Sequence, residues 1–146
     1  MDARPIFKRH EIPLLDKVAF AADEELRAKL VRAAEKFLND GPPADAKGFA
    51  ITKPRVHVGA IASGDQFFAE KERVAELHAR LPDVFCVEME GAAVAQVCYE
   101  HGVRFAIFQT ISDSADENAP VDFQQFTHRI AGVYSREVLR ELFSVR

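Results

Sequence analysis

Three short stretches of the chain hold the side chains best suited to chemistry. The first, Ser63-Gly64-Asp65-Gln66-Phe67-Phe68, sets a carboxylate and an amide beside two adjacent phenylalanines. Those rings either pack under a following helix or offer a flat apolar face to a planar ligand. Gly64 allows a backbone turn that a side chain would block. The second stretch, Val87-Glu88-Met89-Glu90-Gly91, places two carboxylates around a methionine. In a strand-like conformation Glu88 and Glu90 point to the same side. Paired carboxylates accept hydrogen bonds from vicinal sugar hydroxyls, or they exchange protons with a reacting group. The competing reading is that one of them caps the next helix, where negative charge is favoured. The third stretch, Thr110-Ile111-Ser112-Asp113-Ser114-Ala115-Asp116, surrounds Asp113 with hydroxyls. A carboxyl just past a buried strand can have a raised pKa and donate a proton. An Asx-turn or a helix cap would use the same residues.

The surrounding pattern says what must position them. Asp23 is a candidate N-cap for a helix whose apolar face is Leu26, Leu30, Ala33, Phe37 and Leu38, ended by Gly41-Pro42-Pro43. Residues 56–61 read as a strand. Residues 70–81 read as a helix with Val74 and Leu77 on one face, broken by Pro82-Asp83. Residues 84–87 form a short apolar strand of the kind buried on both faces. A small-residue helix over 92–99 has Gly102 as its C-terminal stop. A third strand is expected over 104–110. A closing helix is expected over 123–143, with Phe126, Ile130, Val133, Leu139 and Leu142 as its apolar positions. The opening residues 1–20, with Pro5 and Pro13, show no clean period and read as irregular. Alternating strands and helices imply an α/β fold with a largely parallel sheet and helices on its faces. Ligands of such sheets bind at the carboxyl ends of the strands. The loops that start at Ser63, Glu88 and Ser112 lie at those ends.

Composition narrows the class. The chain has 146 residues, 19 basic and 23 acidic, a net charge of −4 and 48% apolar residues. This fits one soluble globular domain over residues 1–146, with a core that buries roughly 70% of the unfolded surface. Such an apolar fraction is too high for a disordered chain. Charges interrupt every apolar run well short of the ~20 residues of a membrane helix, and the acidic balance disfavours nucleic acid. Cys86 and Cys98 form no C-x-x-C pair and read as free thiols. The five histidines never repeat at helical metal-ligand spacing, so no metal is expected. The first residues carry no apolar signal segment, which points to the cytoplasm.

Taken together, Ser63-Gly64-Asp65-Gln66-Phe67, Val87-Glu88-Met89-Glu90-Gly91-Ala92-Ala93 and Ile111-Ser112-Asp113-Ser114-Ala115-Asp116 resemble, in order and spacing, the bacterial 5′-methylthioadenosine/S-adenosylhomocysteine nucleosidases. Those enzymes belong to the nucleoside phosphorylase superfamily. The resemblance implies a three-layer α/β/α fold, a homodimer and an adenine nucleoside substrate, with neither metal nor redox cofactor. It implies that Asp113 binds adenine and protonates its N7, and that Ser112 helps hold that carboxyl. Phe67 would stack on the base and the backbone of Phe68 would read its edge. Glu90 would accept hydrogen bonds from the ribose hydroxyls, Met89 would pack against the sugar, and Glu88 would belong to the same motif. A protonated Asp at the leaving group and a carboxylate at the sugar hydroxyls suit an oxocarbenium-like transition state.

Two departures qualify the resemblance. The family's chains are longer at the N-terminus, where they carry further strands, a glycine-rich loop and a glutamate that activates water. The sequence therefore resembles the C-terminal portion of a nucleosidase, with N-terminal strands missing, and is expected to be inactive by itself. On that reading the opening segment crosses toward a neighbouring subunit, and Phe7 and Pro13 serve a pocket for a 5′-alkylthio group. The second departure is Gln109, where the family commonly has arginine. A related purine nucleoside phosphorylase or hydrolase, and a non-catalytic nucleoside-binding remnant, are the alternatives.

Overall fold

A computed structural model of the chain describes residues 10–41, 51, 53–66, 70–112 and 126–144. The first helix, α1, is Glu24–Asn39, and Asp23 caps it as its sequence predicts: the carboxylate accepts from the Leu26 N–H at 2.9 Å. Glu24 and Glu25 in the first turn and Lys36 in the last complement the helix dipole. Asp23→Ala is expected to cost about 0.5–2 kcal/mol of stability, read as a lower midpoint in urea unfolding. Upstream, Ile12 and Lys17 form an isolated antiparallel bridge, and His10, Leu14 and Asp16 adopt left-handed backbone. That agrees with an irregular opening.

The sheet among the described residues has two strands. Strand β1, Ala60–Ser63, pairs in parallel with β2, Val84–Glu88. Helix α2, Lys71–Arg80, connects them, and α3, Gly91–Glu100, follows β2. Gly102 ends α3 in left-handed conformation (φ 63°), with its N–H bonded to the Tyr99 carbonyl and the Val103 N–H to that of Cys98. This is a Schellman closure that only glycine enters without strain. A π-helical turn, Thr127–Ala131, leads directly into α4, Gly132–Ser144.

Three expectations are corrected. Residues 104–110 form no strand among the described residues. A strand exists only through ladder bonds to a neighbour, and here the Phe105 carbonyl accepts instead from the Asp23 N–H at 2.8 Å. Strand β1 begins at Ala60 rather than residue 56. The buried stripe of the last helix runs through Phe126, Ile130, Tyr134 and Val138, and Leu139 is left exposed. The π turn takes up an extra residue, which moves the inward side by one position.

That stripe makes the core. Ile130 has no exposed surface; Phe126 and Tyr134 lie beside it, and Phe37, Leu38 and Ile51 pack around them. The Phe37 and Tyr134 rings meet edge to face at 5.1 Å, and Lys36 pairs with Glu141 at 2.6 Å. These contacts lay α1 against α4. A hollow of about 400 Å³ separates that helical pair from the sheet. No helix among the described residues is long and apolar enough to cross a membrane.

Candidate functional site at the strand ends

The first two of the three chemistry-bearing loops start from adjacent strand ends. The register of β1 on β2 slips by one residue: Ala60 faces Val84, but Ile61 faces Cys86. Phe85 is left as an extra residue, 61% exposed, with its ring over Gly59. A β-carbon at Gly59 would collide with that ring. Slips of this kind re-aim side chains beside functional sites. Here the slip puts Ser63 opposite Glu88. In unbroken register Ser63 would face Val87.

The Glu88 carboxylate collects four donors. They are the Ser63 hydroxyl, the Glu90 N–H at 3.0 Å, the Gly91 N–H at 2.6 Å and the Gln109 side-chain amide at 3.4 Å. Its backbone carbonyl accepts from the Gly64 N–H at 3.1 Å. The Ser63 hydroxyl in turn accepts from the Ala92 N–H at 2.8 Å. The first N–H groups of a helix lack intrahelical partners and favour negative charge. Glu88, directly and through Ser63, supplies both needs at the start of α3. The fit is close: a β-carbon on Gly91 would lie 2.9 Å from a Glu88 carboxylate oxygen. The same negative charge acts on Cys86. Burial pushes its thiol above the ordinary range, and Glu88 adds to that.

Glu90 is placed differently. Its side chain makes no cap bond to α3 and no hydrogen bond or ion pair among the described residues, and it is exposed beside Met89. The two carboxylates of the motif are therefore unlike: one is built into the framework and the other faces solvent. Gln109 brings the segment that leads to Ser112 to the same place, and Ser112 is partly buried at its end. Asp113, Phe67 and Phe68 lie outside the described residues, as does Phe7. Ser63 is the participant that residue-by-residue reading left without a role. Its signal is a hydroxyl on the last strand residue, just before Gly64.

The phosphorylase superfamily matches residues 1–144, nearly the whole chain. The chain belongs to the phosphorylase superfamily. Within the superfamily it is 37% identical over 121 residues to the 5′-methylthioadenosine/S-adenosylhomocysteine nucleosidase of Bacillus subtilis, a match of 83% of this chain and 46% of that one. The nucleosidase of Neisseria meningitidis, solved with methylthio-immucillin-A, superposes with a TM-score of 0.74 at 34% identity, covering 90% of this chain and 50% of that one. The futalosine hydrolase of Helicobacter pylori superposes with a TM-score of 0.72 at 31% identity, covering 91% and 49%. The chain thus spans about half the length of the relatives it matches. The superfamily assignment agrees with the resemblance carried by the three loops.

Proposed function

We propose that the chain supplies the base- and ribose-holding part of a 5′-methylthioadenosine/S-adenosylhomocysteine nucleosidase, within one domain over residues 1–146 of a three-layer α/β/α fold. The supporting observation is the division of labour at the strand ends: Glu88 is held by four donors, while Glu90 and Met89 stay open to solvent. In the reaction the bond between the ribose anomeric carbon and N9 of adenine breaks, water adds to that carbon, and adenine leaves. Asp113 holds the base and gives a proton to N7, steadied by Ser112. Phe67 stacks on the base and the Phe68 backbone reads its edge. Glu90 accepts from the ribose hydroxyls as positive charge grows on the sugar, and Met89 covers the sugar's apolar face. Glu88 holds Glu90 in place. No residue here is assigned to activate the water, so the isolated chain is expected to bind without turnover. A homodimer in the cytoplasm completes the reading.

Glu90→Gln tests it. A carboxylate bonded to hydroxyls contributes about 1.5–3 kcal/mol. The variant is therefore expected to weaken 5′-methylthioadenosine at least about tenfold in calorimetric titration, with adenine affinity unchanged. Equal loss for both ligands, or for neither, contradicts the role given to Glu90.

A hydrolase of another purine nucleoside is the second reading. Two observations favour it: the futalosine hydrolase matches nearly as well as the nucleosidase, and neutral Gln109 faces Glu88. Faster base release from futalosine than from methylthioadenosine would select it.

A further inference from the structure

The Ser63 hydroxyl has no task in the proposed reaction, yet it ties three elements together. It stands on the last residue of β1, donates to Glu88 at the end of β2, and accepts from the Ala92 N–H in the first turn of α3 at 2.8 Å. The groups themselves fix these directions. A backbone N–H only donates, so the serine oxygen accepts from Ala92. An ionised carboxylate only accepts, so the hydroxyl hydrogen goes to Glu88.

The two carboxylate oxygens of Glu88 are used differently. Oε2 receives the Glu90 N–H, the Gly91 N–H and the Gln109 amide. Oε1 receives Ser63, its one hydrogen-bond partner among the described residues. The terminal torsion of a glutamate is broad, so a carboxylate held through one oxygen swivels. Holding the second oxygen sets the plane of the group and keeps Oε2 aimed at the turn. Ser63 is well mounted for this. It pairs with Glu88 across the sheet, and the next residue, Gly64, donates its N–H to the Glu88 carbonyl at 3.1 Å. Gln109, by contrast, reaches Oε2 at 3.4 Å from an exposed position.

Met89 and Glu90 stand on the turn that these bonds enclose. The Glu90 N–H is itself one of the donors to Glu88. The Glu90 carboxylate makes no hydrogen bond or ion pair among the described residues, so its place is set by its backbone. We infer that Ser63 is a positioning residue for Glu90: through Oε1 of Glu88 it fixes the turn that aims the Glu90 carboxylate at the ribose hydroxyls of an adenine nucleoside. This role rests on the reading of Glu90 proposed above, and Ser63 itself touches no ligand. Loss of the hydroxyl takes away the donor to Oε1 and the acceptor of the Ala92 N–H together, and its effect on the ligand passes through Glu90.

Calorimetric titration of the chain with 5′-methylthioadenosine and with adenine, beside amide hydrogen exchange of the free chain over residues 90–92, tests this. Ser63→Ala is expected to weaken the nucleoside about three- to tenfold and to leave adenine within about twofold. Exchange at Glu90, Gly91 and Ala92 is expected to quicken about tenfold or more. Ser63→Thr keeps the hydroxyl and suits a strand, and is expected to restore both readouts. Ser63→Cys, with a weak donor in place of the hydroxyl, is expected to give intermediate losses and serves where the alanine variant does not fold. In a Glu90→Ala background, Ser63→Ala is expected to cost the nucleoside less than about twofold, because residues in one network do not add. Equal weakening of nucleoside and adenine, or an undiminished loss with Glu90 removed, would mean that the hydroxyl serves stability alone and would overturn the inference. So would an alanine variant that binds the nucleoside like the parent while Glu90→Ala does not. A Glu90→Ala variant that binds like the parent contradicts the role of Glu90 itself and takes the inference with it, so the two failures are told apart.

Discussion

Asp113→Asn is expected to lower adenine release from 5′-methylthioadenosine by about a hundred- to ten-thousand-fold. This holds in a protein completed with the unmatched portion of a relative. The substitution keeps the size and hydrogen-bonding reach of the side chain, so base and sugar still bind. What it removes is a transferable proton. Without protonation at N7, adenine departs with its negative charge uncompensated, and that penalty falls on the transition state alone. The expected signature is a fall in kcat with KM nearly unchanged. A parallel rise in KM would mean that Asp113 serves binding rather than proton transfer.

Glu88→Ala carries the second large effect, on stability and on ligand affinity together. Truncation leaves the Glu90 and Gly91 N–H groups and the Ser63 hydroxyl without their common acceptor. Stranding partly buried donors costs about 1–3 kcal/mol, equivalent to a thermal midpoint lower by roughly 2–4 °C for each kcal/mol in a chain of this size. The turn that carries Met89 and Glu90 also loses its anchor, so affinity for 5′-methylthioadenosine falls along with stability. Glu88→Gln separates acceptor from charge. It keeps one oxygen for the Gly91 N–H and can turn its amide toward Ser63, and it loses the charge favoured at the start of α3. That charge contributes about 0.3–1 kcal/mol, so the glutamine variant is expected to be the milder. Calorimetric unfolding and ligand titration of the two variants check this order. An alanine variant as stable as the parent would mean that the strand ends are held together by something else.

Local chemistry explains which parts of this arrangement are legible in the sequence. Asp23 ahead of apolar residues at helical spacing gives α1 its start, and a lone glycine after a small-residue helix gives α3 its stop; both are decided within a few residues. Strand β2 is legible because an unbroken apolar run has few other uses. The same reasoning expects a strand over 104–110, yet a strand is a relation between two segments, and the described residues offer that one no ladder. The slip at Phe85 is likewise a property of pairing. Nothing in Val84-Phe85-Cys86 alone says that Ser63 will face Glu88 and not Val87. This is also why Glu88 and Glu90 cannot be told apart by spacing. Two carboxylates around a methionine allow either to cap the helix, and the choice falls to Glu88 only once Ser63 and Gln109 arrive from elsewhere in the chain. That loops follow Ser63 and Glu88 at strand ends is legible, whereas the division of roles between the two carboxylates depends on long-range contacts.

Adenine release from 5′-methylthioadenosine is the measurement that tests the account most directly, made on the chain alone and on the chain joined to the unmatched portion of the Neisseria meningitidis nucleosidase. The joined protein is expected to release adenine, the chain alone to release none, and Asp113→Asn to collapse that release. A joined protein that binds the nucleoside without cleaving it, or release that survives Asp113→Asn, would contradict it.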